Sequence, residues 1–380
     1  MKLIGLLLIL LHASLCLSQS VEEKEKPKLT FTGDFRFRIE QDWDSRKSDG
    51  TYRDDRSRLR YRLRFGANYE YNHWASFGMR LRTGTMSNQQ DPHLTLGAGA
   101  QEFDIVPIGL EKLFFKANYR NFSAWLGKNT FPFEKQNELF WSDNVYPEGV
   151  TISGKFKDVL GFVPALTINT GHFIMRSSGR SFSEDGYFEG VQLVATALSQ
   201  KIKVFPGFYY FHQIPVVPDE ADPQLINYSI FHVGLSYKLL TNPALSLEMD
   251  YYDNLQHYHK QDSLPMGLVD DKEGIVIGVL LGQFQHKGDF TLRAYYTCLQ
   301  RFSAVDYMAQ NDWVRWDYSN YNSPAGRLTN FQGLEIMAGY VVADRLKLKM
   351  RYFNVKQLVE YGPHRENGQR VRLDLDIGFN

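Results

Sequence analysis

The sequence predicts an all-β protein, a transmembrane antiparallel β-barrel of about 16 strands with an inward-folded third long loop. Three observations lead there. From residue 29 onward the apolar residues recur with period two, and period 3.6 is nowhere sustained. The connections between the alternating segments are short and long in turn. The chain is polar on average, with a mean hydropathy of −0.37, yet its 27 Phe, 22 Tyr and 6 Trp make it 14% aromatic. That combination suits strands with one wet and one greasy face, ringed by aromatic residues at the membrane interfaces.

Residues 1–20 read as a secretory signal peptide: Lys2 opens it, an apolar run covers 3–11, and Ser18 and Ser20 offer small residues for cleavage. The rival reading, lipid attached to Cys16, meets bulky Leu15 where a small residue is expected. Cys16 and Cys298 are the two cysteines, so there is no disulfide framework. Residues 21–28 form a short charged leader, and 29–380 are read as one transmembrane barrel domain. No later run approaches the ~18 apolar residues of a membrane helix, so a membrane-inserted chain must cross as strands. Lys+Arg and Asp+Glu both number 43, giving a formal net charge of zero. That balance argues against a nucleic-acid partner.

Alternation is clearest over 57–71, SRLRYRLRFGANYEY, where Leu59, Tyr61, Leu63, Phe65, Ala67, Tyr69 and Tyr71 share one face and Arg58, Arg60, Arg62 and Arg64 the other. The same test places strands at 29–40, 57–71, 74–84, 109–119, 121–128, 149–157, 162–173, 187–198, 201–212, 226–239, 244–253, 274–284, 289–301, 331–342, 346–357 and 370–379. Short turns fall near 72–73, 120, 158–161, 199–200, 240–243, 285–288 and 343–345, and long loops at 41–56, 85–108, 129–148, 174–186, 213–225, 254–273, 302–330 and 358–369. An even strand count with this asymmetry is the outer-membrane barrel pattern, with both chain ends and the short turns in the periplasm and long loops such as 254–273 and 302–330 expected at the cell surface. Aromatic residues near strand ends (Tyr69, Tyr71, Trp74, Tyr119, Phe122, Trp125, Tyr237, Tyr251) are expected to form the interfacial girdle.

Magnitudes assign the faces. An arginine aimed at lipid at mid-depth costs roughly 2–4 kcal/mol, so the four on 58–64 would cost on the order of 8–16 kcal/mol. The arginines therefore face the lumen. Arg36, Arg38, Arg58, Arg60, Arg62, Arg64, Arg80 and Arg82, from three consecutive strands ~4.8 Å apart, are expected to tile one basic wall. The third long loop carries Lys128, Pro132, Phe133, Glu134, Glu138, Trp141, Asp143 and Glu148 and is the expected constriction loop. Its acids are expected to oppose the arginines. Two readings stay open: the acids neutralise the wall and plug the barrel, or they face it across a gap and set a transverse field in an open pore.

The segment from Trp125 to Val150, WLGKNTFPFEKQNELFWSDNVYPEGV, together with RSRLRYRLRFG and GMRLRTG upstream, resembles a family of Gram-negative putative porins. The shared pattern is Gly127-Lys128, Asn129, Pro132-Phe133, Trp141 with Asp143, then Glu148-Gly149. The resemblance is tight over about 30–150 and diffuse beyond. It implies an outer-membrane porin barrel and does not imply a particular solute. More distantly the features are similar to phosphate-type and alginate-export porins, which keeps a substrate-selective channel for anionic solutes or polysaccharide as the alternative. The C-terminal alternation Leu373, Leu375, Ile377, Phe379 resembles the assembly signal of such barrels, although Asn380 follows the final aromatic.

No nucleophile elbow, zincin motif, P-loop or dinucleotide fingerprint is present, so an enzyme is not expected. His257 and His259 near Asp253 and Asp262, and Asp270, Asp271 and Glu273, are read as solvated loop residues rather than metal ligands, and Cys298 as a buried or lipid-facing thiol. No cofactor is expected. The expected partners are outer-membrane lipid and small hydrophilic solutes or anions, with a homotrimer as an open assembly. An adhesin or receptor built on the long loops is the competing function of another class.

Overall fold

Period-two patterning resolves into strands almost wherever it occurs. The computed structural model describes residues 26–380 apart from 87–88, 98–104, 160–162, 217–223, 260–268, 310, 315–328, 361 and 380. The signal-peptide reading of 1–20 lies outside the described residues. In chain order the strands are β1 (Lys28–Arg46), β2 (Arg56–Glu70), β3 (Ala75–Thr83), the two-residue β4 (Leu94–Thr95), β5 (Ile108–Tyr119), β6 (Phe122–Lys128), β7 (Glu148–Lys157), β8 (Ala165–Arg176), β9 (Gly186–Ala197), β10 (Ile202–Pro215), β11 (Leu225–Thr241), β12 (Ala244–Asn254), β13 (Glu273–Gly282), β14 (Phe290–Leu299), β15 (Phe331–Ala343), β16 (Leu346–Gln357) and β17 (Asn367–Phe379). The sixteen long strands form a closed antiparallel barrel, each paired with its neighbour and β17 returning to β1. β4 lies against β2 at Arg60 and Tyr61, beyond the end of the β2–β3 ladder.

The faces are those the alternation demands. On β2, Leu59, Leu63 and Phe65 are exposed on the outside at 45%, 39% and 43%, whereas Arg60 and Arg62 are buried within. Across the closure, Arg38 stands opposite Asp374, Glu40 opposite Arg372 and Asp42 opposite Arg370. Across the next ladder, Arg36, Arg38 and Glu40 stand opposite Arg62, Arg60 and Arg58. The short connections are tight turns. Tyr119 pairs with Phe122, so Arg120 and Asn121 alone link β5 to β6, and Arg120 takes the left-handed conformation such a hairpin needs.

Two expectations are corrected. Trp125 does not join the outer girdle: it is buried inside the barrel against Phe173, at 5.9 Å between ring centroids. It alternates with exposed Phe122 and Leu126, so its parity sends it inward even though it lies near a strand end. The loop at 302–330 is not a surface excursion over its described part: Phe302, Ala304, Val305, Ala309 and Trp313 are at most 1% exposed. Its apolar residues pack into the barrel mouth, where they leave water.

The face assignment predicts unequal consequences at adjacent positions. Leu63→Arg should lower barrel stability in urea titrations by about 2–4 kcal/mol. Arg62→Gln, which leaves Asp34 paired with Arg64, should fold and alter conductance instead. Equal folding losses from the two would contradict the assignment.

Candidate functional site

The lumen divides into two unlike halves. On the β8–β12 side it is filled by rings. The loop between β6 and β7 turns inward there, burying Phe131, Phe133, Leu139, Phe140 and Trp141. Phe131 stacks on Trp141 at 4.7 Å, Phe133 meets Tyr209 at 5.2 Å, and Phe140 stacks on Tyr252 at 5.1 Å. Gly190 of β9 is required beneath this packing, since a Cβ there would overlap the Phe133 ring. These offset and edge contacts seat the loop against the wall.

Polar bonds fix the same loop at its rim. The Glu134 amide donates to Gln192 Oε1 at 2.7 Å, and Gln192 Nε2 donates to the Glu134 carbonyl at 3.0 Å. Asn137 Nδ2 donates to Asp250 at 2.8 Å. The Ser142 amide donates to the Met308 carbonyl at 2.7 Å, and the Tyr146 amide to Gln89 Oε1 at 2.8 Å. Three long loops are thereby knitted together inside the barrel, where the sequence indicated one.

On the opposite side stand the arginines. All eight of the expected set project inward, and each meets a carboxylate. Arg36 Nε lies 2.5 Å from Asp376, Arg38 Nε 2.6 Å from Asp374, Arg62 Nη2 2.6 Å and Arg64 Nε 2.8 Å from Asp34, and Arg80 Nε 2.5 Å from Glu111. Arg58 pairs with Glu40, Arg60 with Asp91, and Arg82 lies 3.8 Å from Glu111. Most of these acids sit on neighbouring strands.

The expected opposition of loop acids to the wall is therefore corrected. Glu134 pairs with Lys203, Asp143 with Lys135 and Glu148 with Lys128, while Glu138 reaches Arg351 of β16 at 3.2 Å. Strand neighbours deliver Asp34, Glu111, Asp374 and Asp376 at fixed spacing, and what the loop brings to the wall is a ring, Tyr146, over which Arg80 lies at 4.9 Å. Pro132 is half-buried between the packed rings of Phe131 and Phe133.

Between wall and loop lies a cavity of about 410 Å³. Its cations are Arg36, Arg38, Arg60, Arg62, Arg64, Lys135, Arg293, Lys349, Arg351 and Arg372, and its carboxylates are Asp91, Glu138, Asp143, Asp312 and Glu335. Arg293, Lys349, Arg351 and Arg372 come from strands far away in sequence, and closure of the barrel brings the β16 and β17 cations beside β1. Sequence reasoning missed them as wall members, along with Glu111, Asp91 and His93. Alternation on β16 and β17 carried the signal for the arginines, but only the β1–β17 register places it. Burial raises the Glu138 carboxyl, but Arg351, Lys135 and the Asp143 amide outweigh burial and hold it below the usual carboxylate range. His93, which precedes β4, is pushed well below its ordinary value of 6.5, first by burial and then by Arg38, Arg62, Arg36 and Arg60.

Of the histidines and acids read as solvated loop residues, His259 pairs with Asp270 at 2.9 Å, both exposed. Among the described residues no group of three or more His, Cys, Asp or Glu side chains is arranged to hold a metal ion.

Comparison with known proteins agrees with this architecture. Residues 46–225 match a family described as "putative porin". No curated protein sequence matches the chain. Among solved structures, OprB of Pseudomonas putida at high pH is 14% identical, with a TM-score of 0.55 over 92% of this chain and 94% of that one. A triple mutant of the Rhodopseudomonas blastica porin is 14% identical, with a TM-score of 0.53 over 92% of this chain and 100% of that one. OmpF of Salmonella typhi in complex with daunomycin is 11% identical, with a TM-score of 0.52 over 94% and 99%. At these identities the likeness is one of fold, and the fold is that of bacterial porins.

The buried His93 predicts a pH dependence. Its native value lies below its unfolded one, so the unfolded chain takes up the proton first and stability falls as pH drops below about 6.5. Between pH 7 and 5 the wild-type barrel should lose about 1–2 kcal/mol more in urea titrations than His93→Gln. An identical pH response in the two would show that His93 is not held neutral.

Proposed function

We propose that the chain is an outer-membrane porin, a water-filled channel for passive diffusion of small hydrophilic solutes that weakly prefers anions, rather than an enzyme. The single observation that carries this reading is the cavity between the arginine wall and the inward loop, whose lining holds more Lys and Arg than Asp and Glu. Sixteen strands enclose a bore wider than side chains alone fill. The match over 46–225 and the porin fold support a channel, and the apolar outer face supports the outer membrane, with lipid outside and hydrophilic solutes or anions within.

The preference follows from the excess of cations among the residues lining this cavity. The eight arginines are largely offset by their strand carboxylates, which keeps the preference weak. Arg293 extends the positive lining beyond them, as do Lys349 and Arg351, which are themselves partly offset by Asp376 and by Glu335 and Glu138. Screening at physiological salt acts over ~8 Å, comparable with a constriction, so the residual field persists there and strengthens as salt is lowered.

Planar-bilayer reversal potentials under a salt gradient test the proposal. The wild-type pore should favour anions modestly, Arg60→Gln/Arg62→Gln should shift the potential toward cations, and Glu138→Gln should shift it further toward anions. Large ohmic steps support a diffusion porin, whereas small steps blocked by one anionic solute support the selective channel. A wild-type pore that clearly prefers cations would overturn the proposed selectivity, and the absence of conductance would favour an adhesin or receptor.

A further inference from the structure

Arg370 and Arg372 alternate on β17 and both point into the lumen, where they are 2% and 5% exposed. One side of each guanidinium is pinned by β1. Arg370 grips Asp42 through Nε at 2.5 Å and Nη2 at 3.0 Å, and Arg372 donates from Nε to Glu40 at 2.9 Å. On their other side the two Nη1 groups converge on one carboxylate. Asp312, fully buried in the segment between β14 and β15, accepts from Arg370 Nη1 through Oδ1 at 2.9 Å and from Arg372 Nη1 through Oδ2. Its neighbour Trp313 stacks on Phe331 and donates to Glu335 at 3.2 Å, so the carboxylate is delivered by an anchored residue.

We infer that Arg370 and Arg372 form an oxyanion-binding fork that the chain fills with its own Asp312 as a tethered ligand. Two guanidiniums held at fixed separation by β1 carboxylates present a preorganised pair of donors, each meeting one oxygen of a single anion. A carboxylate or a phosphate has the two oxygens this geometry takes. Filling the fork from within has a consequence for flow: conduction needs binding weak enough for solutes to leave, and a capped fork cannot retain a passing anion. Arg372 and Asp312 line the cavity of the proposed anion path, so the inference rests on that reading for its effect on flow, but anion binding at the fork is a separate event that can be read without any current.

The test uses the full chain refolded in detergent, with folding verified by heat-modifiable gel migration, as wild type, Asp312→Ala, Asp312→Asn and Asp312→Ala/Arg372→Gln. Each is titrated with sodium phosphate and, separately, sodium malonate against sodium chloride of equal ionic strength, reading Tm. Asp312→Ala should gain a saturable Tm rise of at least about 2 °C, which wild type lacks and the double variant loses. Whichever of the two titrants gives the larger rise identifies the oxyanion class. In bilayers the same titrant should reduce Asp312→Ala conductance at least twofold. A Tm gain without any conductance in any form would overturn the channel reading and leave the fork standing. Equal Tm responses in wild type and both single variants would overturn the fork. Failure of both single variants to fold would also overturn it, by showing Asp312 to be a structural counterion.

Discussion

The ionic ladder across β17, β1 and β2 constrains everything around it. Arginines and carboxylates alternate along these strands on one face, and closure sets Arg38 against Asp374, Glu40 against Arg372 and Asp42 against Arg370. Buried charges are tolerated only when paired and hydrogen-bonded, and stranding one partner costs about 3–5 kcal/mol. A slip of one residue in the β1–β17 register would set these charges opposite apolar residues and turn one strand's set toward lipid, and a slip of two would set Arg38 against Arg372 or Glu40 against Asp374. The ladder therefore fixes the closure of the barrel, the identity of its inner face and the sign of the lining. Like charges that do meet, as Arg38 opposite Arg60, are relieved by acids on the flanking strands and loops: Asp374 takes Arg38, and Asp91 takes Arg60.

The opposite half of the lumen obeys different physics. From β8 to β12 the inward positions carry Phe173, Phe188, Tyr209, His232 and Tyr252, and the loop after β6 lays its own rings on them. Burial of these rings moves the loop to one side and leaves the aqueous space against the charged half. The polar tip of that loop, Lys135 to Glu138 and Ser142 to Asn144, is what faces the cavity. An eccentric pore bounded by a rigid charged wall and a loop seated on aromatics follows from placing rings and charges on separate arcs of one barrel.

Much of this was legible in the sequence because period two is a local signal. The strand at 57–71 differs from β2 by one residue at each end, and the face of its arginines follows from the cost of burying them in lipid. What was not legible depends on closure or on loops. Nothing local says that Asp374 and Asp376 will neutralise Arg38 and Arg36, since more than 330 positions separate them. Asp91, His93 and Asp312 reach the lumen on long loops, whose paths no periodicity encodes. The loop after β6 folds inward, but its acids do not meet the wall: Glu134 and Glu138 pair with Lys203 and Arg351 on strands distant in sequence, and Asp143 and Glu148 pair with Lys135 and Lys128 close by. Trp125 shows the opposite failure: an aromatic near a strand end looks interfacial until its parity is counted against Phe122 and Leu126.

In the proposed porin one face of β2 lines the water path while the other meets lipid. This division can be read by replacing Cys298 with serine, placing single cysteines at positions 59 to 64, and following open-channel current while a charged, membrane-impermeant thiol reagent is added. Current should fall when cysteine stands at 60, 62 or 64 and stay unchanged at 59, 61 and 63. Modification at the odd positions, or no alternation at all, would contradict it.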